Sequence, residues 1–181
     1  MRHLTRAAIL AGLLLSPGPE TRAQDKPRAD APAPNRERVI EVARKVMTEA
    51  RFCTLATVGD HGQPQARVVD PLEPDDALVV YIATNPRSRK VAEIKKDPRV
   101  TLLYFDTARS AYVTLIGVAT EVPNAEKAAH RKKDWEAFFP AGQPEAYAMY
   151  RIVPSRLELV SAQDGFSGDP ASWRPEIITL R

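Results

Sequence analysis

The feature that most constrains the fold is a strand–turn–strand pattern that follows Arg51. Residues 52–58 read FCTLATV, residues 59–63 read GDHGQ and residues 64–70 read PQARVVD. Two runs with strand composition joined by a short glycine-containing turn are typical of a β-hairpin. A hairpin pairs its strands antiparallel, so this pattern favours an antiparallel sheet over a parallel α/β sheet.

Further segments with strand composition follow the hairpin. They are ALVVYIAT at 77–84 after the turn LEPDD, VTLLYFD at 100–106, AYVTLIGVATEV at 111–122, YAMYRIVPSRLELVS at 147–161 and EIITL at 176–180. The segment at 147–161 is predicted as a strand pair or one bent strand, with Pro154 at an edge or a bulge. A loop, DGFSGDPASWRP, separates it from the last strand.

Three helices are predicted around these strands. Asn35 is suited to cap the first, whose apolar face is formed by Val39, Ile40, Ala43, Val46, Met47 and Ala50. A short helix begins near Ser88 and ends at Asp97-Pro98. Another extends through KAAHRKKDWEAFF, from Pro123-Asn124 to Pro140. About six core strands without strict β-α-β alternation predict a mainly β protein, an antiparallel barrel with flanking α-helices.

The N-terminus has the layout of a secretory signal peptide. MRHLTR is basic, AAILAGLLL is apolar and SPGPETRA ends in a small residue, which predicts cleavage after Ala23. The apolar run is too short to span a bilayer. The prediction is therefore a signal peptide at 1–23, a flexible leader at 24–35 and one domain at 36–181 in a secreted or periplasmic protein. The alternatives are an uncleaved anchor and a wrongly assigned start.

Cleavage would lower the formal net charge from +3 to +1. A nearly neutral domain lacks the long-range positive field of a typical nucleic-acid-binding protein. Beyond the first two dozen residues no segment is long and apolar enough for stable membrane insertion. We therefore expect neither nucleic acid nor membrane as a partner.

Several common catalytic motifs are absent from the sequence. It has no glycine-rich dinucleotide fingerprint, no Walker sequence and no serine nucleophile elbow. His3, His61 and His130 do not have metal-ligand spacing, so no metal site is predicted. Cys53 is the single cysteine and is expected to be buried, the alternative being a redox thiol. The chemistry is therefore expected to come from a cofactor, if there is any.

The most basic stretch is NPRSRKVAEIKKDPRV at 85–100, with six Lys or Arg residues. A strand ends at Thr84 and a helix begins near Ser88, and a helix N-terminus carries unpaired N–H groups and partial positive charge. Ser88, Arg89 and Lys90 therefore predict an anion site for one phosphate. The cations further along the stretch, Lys95, Lys96 and Arg99, are interpreted as a solvated face.

Three segments together resemble the pyridoxamine 5′-phosphate oxidase-like flavoproteins, with the general-stress-protein branch most similar. They are FCTLATVGDHGQPQARVVDP, YIATNPRSRKVAEIKKDPRVTLLYFD and YVTLIGVATEV, and the most specific part is T-N-x-x-S-R-K beside a G-x-P-x-x-R hairpin. The resemblance covers about residues 36–180. It implies a six-stranded antiparallel split barrel of Greek-key type that forms a homodimer and binds FMN at the dimer interface.

The resemblance also implies cofactor-binding residues. Arg89 and Lys90 would hold the FMN phosphate, with Ser88 at the helix start. Arg67 and the backbone at Val68 would contact the flavin ring and phosphate region, and Thr84 would touch the flavin from its strand end.

Two further residues are compared with the family pattern. Tyr112 stands where the biosynthetic oxidase usually has Gln, and its ring would stack on the flavin or shield it. Trp173 would either reach a bound ligand or pack in the core.

Two departures from the biosynthetic oxidase argue against oxidation of vitamin B6. Leu72 replaces a lysine near the phosphate, and the tail SWRPEIITL lacks an R-x-H pair. The resulting prediction is an FMN-binding oxidoreductase that acts on an unknown small substrate, with no identified catalytic acid or base. The alternatives are a non-enzymatic stress protein that binds flavin or haem, with His130 as a haem ligand, and nucleic-acid binding through residues 85–100.

Overall fold

The computed structural model describes residues 35–180, so the predicted signal peptide and the leader up to residue 34 lie outside the described residues. The helices and strands of this part are α1 (Arg36–Ala50), β1 (Cys53–Val58), β2 (Pro64–Val69), β3 (Val80–Thr84), α2 (Arg89–Lys96), β4 (Arg99–Asp106), β5 (Ala111–Glu121), β6 (Ala148–Val160) and β7 (Glu176–Thr179). Neither α1 nor α2 has the length and hydropathy needed to cross a membrane.

The strands form one antiparallel sheet that curls into a half-barrel. Its order is β2-β1-β4-β5-β6-β3, and β7 pairs with β6. The predicted β1–β2 hairpin is present, with Cys53 opposite Val69 and Val58 opposite Pro64. The antiparallel barrel fold with flanking helices predicted from the sequence is confirmed. The short strand β7 is a seventh strand, in addition to the six that were predicted for the barrel.

Strand β6 is one bent strand of 13 residues rather than a strand pair. It pairs with β5 over most of its length, while its first half pairs with β3 and its second half with β7. The register with β5 shifts between Ile116 and Gly117, because Ile116 lies opposite Arg156 and Gly117 lies opposite Pro154. Of the two positions predicted for Pro154, an edge or a bulge, the bulge is therefore confirmed.

The main core lies between the inner face of the sheet and α1. Leu55, Leu102, Leu115 and Leu157 form a row of register partners on four neighbouring strands, and all four are fully buried. Helix α1 packs its buried face against β4 and β5. Asn35 caps it as predicted, since its side-chain oxygen accepts a hydrogen bond from the Glu37 N–H at 2.9 Å.

The α-helix predicted between Pro123 and Pro140 is wrong. This part of the chain forms separate turns of 3₁₀ helix, at Lys127–Ala129 and Lys133–Trp135, and a third follows at Pro144–Ala146. The polar run HRKKD interrupts the apolar stripe that a packed helix needs. Trp135 instead anchors the segment in a second buried cluster with Val122, Tyr147 and Met149.

Candidate functional site

The loop after β3 turns the chain directly into α2. The side-chain oxygen of Asn85 accepts a hydrogen bond from the Arg87 N–H at 2.8 Å, and its carbonyl accepts one from the Ser88 N–H at 3.0 Å. Ser88 is the N-cap of α2, but its hydroxyl does not cap the helix. The hydroxyl lies 3.3 Å from Thr84 Oγ1 instead. The N-terminus of α2 thus begins next to the last residue of β3.

Lys90 reaches back across this junction. Its Nζ donates a hydrogen bond to Thr84 Oγ1 at 2.9 Å, and the side chain is partly buried. Burial lowers the pKa of Lys90, and the nearby charge of Arg67 lowers it further, while Glu93 acts in the opposite direction. Thr84, Ser88 and Lys90 therefore form one connected polar group.

Arg67, on the hairpin strand β2, lies near enough to Lys90 for its charge to act on the pKa of Lys90. Its NH1 donates to Thr57 Oγ1 at 2.5 Å and to the carbonyl oxygens of Gln65 and Leu55 at 3.2 and 3.4 Å. Its NH2 donates to Glu93 Oε2 at 2.5 Å. Helix α2 and strand β2 are therefore linked through a carboxylate that projects from the middle of α2.

Glu93 also links Arg67 to Arg89. It is only 7% exposed, accepts a hydrogen bond from Thr57 Oγ1 at 2.6 Å, and places Oε1 2.9 Å from Arg89 Nε. Burial raises the pKa of Glu93, but the hydrogen bonds from Thr57 and Arg67 and the charges of Arg67 and Arg89 outweigh it, so the pKa lies below its ordinary value. Glu93 is therefore a carboxylate at neutral pH.

Five of the seven predicted cofactor-binding residues thus come together in one chain. We call them the Ser88 cluster: Arg67, Thr84, Ser88, Arg89 and Lys90. Its three cations and the contacting Glu93 have a net charge of +2. The sequence reasoning missed Glu93, although its position four residues after Arg89 is one at which helical ion pairs form. No local pattern connects Glu93 to Arg67, 26 residues earlier in the chain.

Val68 and Tyr112 do not join the Ser88 cluster within one chain. Both project from the outer face of the sheet, and strands β1 and β4 lie between the strands that carry them. Val68 is 69% exposed. Tyr112 is partly buried, and burial followed by the charge of Glu158 raises its pKa.

Trp173 is also an outward-facing side chain. It is 85% exposed at the tip of a loop in which its N–H donates to the carbonyl oxygen of Asp169 at 2.7 Å. Core packing, one of the two alternatives for Trp173, is therefore wrong.

The remaining cations of the basic stretch are solvated, as predicted. Lys95, Lys96 and Arg99 are exposed and lie next to Glu121, Asp60 and Asp97, respectively. They are spread over the far end of α2 and the start of β4, away from the Ser88 cluster.

The cysteine and the two described histidines lie outside the Ser88 cluster. Cys53 is buried, as predicted, and burial raises the pKa of its thiol to about 12. His130 follows a 3₁₀ turn, so its predicted position on an α-helix is wrong, and its ring stacks on Tyr81 with 3.8 Å between centroids. His61 lies in the turn between β1 and β2. Within residues 35–180, no three His, Cys, Asp or Glu side chains are grouped to hold a metal ion.

The family model for pyridoxamine 5′-phosphate oxidase matches residues 39–161, which is more than half of the chain. The chain belongs to this family. A pyridoxine/pyridoxamine 5′-phosphate oxidase from Thermosynechococcus vestitus is 33% identical over 124 residues, which are 66% of this chain and 58% of that protein. The chain thus matches little more than half the length of this oxidase.

Solved structures show the same pyridoxamine 5′-phosphate oxidase-like fold. A protein related to general stress protein 26 from Clostridium acetobutylicum superposes with a TM-score of 0.65 at 16% identity, covering 79% of this chain and 95% of that one. A heme-binding protein from Mycobacterium smegmatis gives a TM-score of 0.59 at 21% identity, covering 78% of this chain and 57% of that one. At these identities the likeness establishes the fold alone.

One departure from the pyridoxamine 5′-phosphate oxidase pattern has a structural counterpart. Leu72 is partly buried against the second cluster, and its N–H donates to the carbonyl oxygen of Tyr81 at 2.9 Å. Position 72 is therefore used for packing, and it supplies no cation toward a phosphate.

Proposed function

We propose that this protein binds FMN and acts as an oxidoreductase on a small substrate, with the phosphate held by the Ser88 cluster. The observation that carries the proposal is that Arg89 and Lys90 lie at the start of α2, where Ser88 leaves the helix without a side-chain cap, and that Arg67 reaches the same helix through Glu93. The first N–H groups of a helix have no partner within the helix, and they are donors suited to phosphate oxygens.

The charge of the Ser88 cluster fits a phosphate monoester. Such a group carries about −1.5 to −2 at pH 7, which is close to the net charge of +2 formed by the three cations and Glu93. The hydroxyls of Ser88 and Thr84 add neutral hydrogen-bonding groups. The net charge of the cluster therefore matches the phosphate dianion without the lysine that the biosynthetic oxidase has where this chain has Leu72.

Bound FMN would supply the electron-transfer chemistry, and the chain would bind and orient it. The Ser88 cluster would fix the phosphate end. Because Glu93 is held as an ionised carboxylate by Thr57 and Arg67, it is not a proton donor at neutral pH.

Titration of the purified protein with FMN and with riboflavin tests the proposal, since riboflavin lacks only the phosphate. We expect FMN to bind more tightly than riboflavin in the wild type. Lys90→Ala should weaken FMN binding by about tenfold or more, the order of one charge-assisted contact, and leave riboflavin binding unchanged. Lys95→Ala is the matched control on the same helix. A wild type that takes up no FMN, or equal effects of the two variants, would reject the proposal.

We also propose a homodimer that pairs the outer faces of two sheets. Val68, Leu103, Phe105 and Val118 project from this face and are exposed, and Phe52 lies beside it. Several large exposed apolar side chains on one face of a sheet are typical of an interaction site. Val68 and Tyr112 lie on the same face, so a dimer would bring a second chain to both residues.

A non-enzymatic flavin-binding protein is the second candidate, because the ionisable groups that contact the Ser88 cluster are committed to ion pairs or hydrogen bonds. Flavin loaded into the protein and reduced should be reoxidised faster by a substrate than by buffer if the protein is an oxidoreductase. Equal rates across a panel of small electron acceptors would favour the binding function. Haem binding through His130 would require its ring to leave Tyr81, and a Soret band lost in His130→Ala would indicate it.

We also propose that the protein is exported from the cytoplasm. The basic, apolar and small-residue segments of residues 1–23 support removal of a signal peptide. N-terminal sequencing of the protein from the extracellular or periplasmic fraction should begin at Gln24. Recovery of the chain from Met1 in the cytoplasm would contradict it.

A further inference from the structure

The donors of Arg67 are largely occupied by the protein itself. Its NH1 contacts three oxygen acceptors, those of Thr57, Gln65 and Leu55, and its NH2 contacts Glu93 Oε2. Arg89, although mostly exposed, is drawn along the helix to Glu93 Oε1. The two guanidinium groups of the Ser88 cluster therefore face a carboxylate of the same chain.

Glu93 has the properties of an anion bound to this cluster. It is buried, it is ionised, and it accepts a hydrogen bond or a charge contact from Thr57, Arg67 and Arg89. Lys90 is the cation of the cluster that is directed elsewhere, toward Thr84. A phosphate bound by Lys90, Ser88 and the N-terminus of α2 would compete with Glu93 for Arg67 and Arg89.

We propose that Glu93 is an internal counter-anion that competes with the ligand's phosphate for Arg67 and Arg89 and so limits the affinity of the site. This inference rests on the proposed phosphate site. Glu93 compensates part of the charge of the two guanidinium groups when the site is empty, and its charge reduces the attraction for a phosphate when the site fills. It thus lowers the net charge of the cluster from +3 to +2, which is close in magnitude to the charge of one phosphate monoester.

Glu93→Gln separates this role from a structural one. The glutamine oxygen can still accept from Thr57 and Arg67, while the amide nitrogen offers Arg89 no acceptor and the negative charge is lost. The net charge of the cluster then rises from +2 to +3. We expect FMN to bind about three- to tenfold more tightly than to the wild type, the order of one partly screened charge contact. Riboflavin affinity should not change.

Thermal unfolding gives an independent readout. Without ligand, Glu93→Gln should unfold at a lower temperature than the wild type, because Arg67 loses its counter-charge in a partly buried place. Saturating FMN should raise the unfolding temperature more in the variant than in the wild type. A merely structural role would lower the unfolding temperature equally with and without FMN. Asp60→Asn is the matched control, since Asp60 is an exposed acid paired with Lys96 at the other end of α2.

Inorganic phosphate is the second probe, and it distinguishes failure of this inference from failure of the proposed function. If the wild type binds no FMN, the flavin proposal fails, but tighter binding of inorganic phosphate by Glu93→Gln than by the wild type still supports the inference. Unchanged or weaker binding of both FMN and phosphate by folded Glu93→Gln overturns it.

The wild type provides a test that needs no variant, should Glu93→Gln fail to fold. FMN should shift the NMR resonances of both Arg89 Nε and the Glu93 carboxylate carbon, because the phosphate separates this pair, and riboflavin should shift neither. Resonances of the Arg89–Glu93 pair that stay in place at saturating FMN would overturn the inference.

Discussion

At the scale of single residues, Gly117 on β5 lies at the bulge where the neighbouring strand β6 bends. A Cβ at this position would lie 2.3 Å from the carbonyl oxygen of Val153 on the neighbouring strand. Gly117→Ala must therefore shift backbone, and we expect it to lower the free energy of unfolding by about 1–3 kcal/mol. Urea unfolding measures the change. Ser155→Ala at the same bulge adds no atoms and should cost about 1 kcal/mol or less; equal losses in the two variants would contradict the steric explanation.

Cys53 should make stability depend on alkaline pH. Burial raises the pKa of its thiol from 9.0 to about 12, so the unfolded chain loses this proton before the folded one does. The thiol's contribution to stability is therefore complete below pH 9 and is lost as the pH rises toward 12. Urea unfolding of the wild type and of Cys53→Ala across this range should show the steeper decline in the wild type. Parallel declines would mean that the thiol does not titrate differently in the two states.

The limits of the sequence at this scale are set by distance along the chain. Ser88, Arg89 and Lys90 were predicted as a phosphate site from a helix start, which is a local signal. Arg67 and Thr84 were added to that site by the family resemblance. Glu93 could not be predicted, because its partner Arg67 is on the hairpin strand β2 and only the packing of α2 against the neighbouring β1 brings them together. The burial of Cys53 was predicted on a chemical ground, because an exposed free thiol would be a liability in an exported protein.

At the scale of elements, the segment between β5 and β6 is held by a buried ammonium group. Lys127 is 3% exposed, and its Nζ donates to the carbonyl oxygens of Tyr147 and Pro144 at 2.5 and 2.7 Å. Burial lowers the pKa of Lys127. These bonds tie the 3₁₀ turn at Lys127–Ala129 to the one at Pro144–Ala146.

Lys127→Met should loosen this segment without unfolding the sheet. It keeps the aliphatic stem but leaves two carbonyl oxygens without their donor, which we expect to cost about 1–3 kcal/mol. Hydrogen exchange should increase at residues 123–147 and remain slow in β4 and β5. Lys133→Met, in the exposed part of the same segment, is the control and should change neither region. Uniformly faster exchange would show that Lys127 supports the whole fold instead.

Strands were more predictable than helices in this chain for a physical reason. The β-branched and aromatic residues of β4 and β5 are a local signal that favours strands, whichever face of the sheet is buried. The segment at 123–140 contains good helix-forming residues, but Lys127 and Trp135 each find a buried partner outside the segment. Tertiary contacts of this kind override local propensity.

At the scale of the whole molecule, the two faces of the curled sheet differ in whether a helix covers them. The inner face is covered by α1, whereas the outer face exposes large apolar side chains on β2, β4 and β5. Antiparallel sheets commonly leave one face to solvent, and such a face is then polar. The apolar outer face was not identified from the sequence, because β4 and β5 are apolar on both sides and their strand pattern does not show which side α1 covers.

A charge on the outer face should therefore separate the proposed dimer. Phe105 is 54% exposed on this face, opposite Tyr112 on β5. Phe105→Asp would place an uncompensated carboxylate in the interface, and we expect sedimentation analysis to show monomers where the wild type shows dimers. Phe138→Asp is the matched control, because Phe138 is 76% exposed but lies outside the sheet. If flavin binding also depends on the second chain, Phe105→Asp should lose affinity for riboflavin and FMN alike, whereas Lys90→Ala should lose it for FMN only. A wild type that is monomeric, or a Phe105→Asp variant that remains dimeric, would contradict pairing through this face.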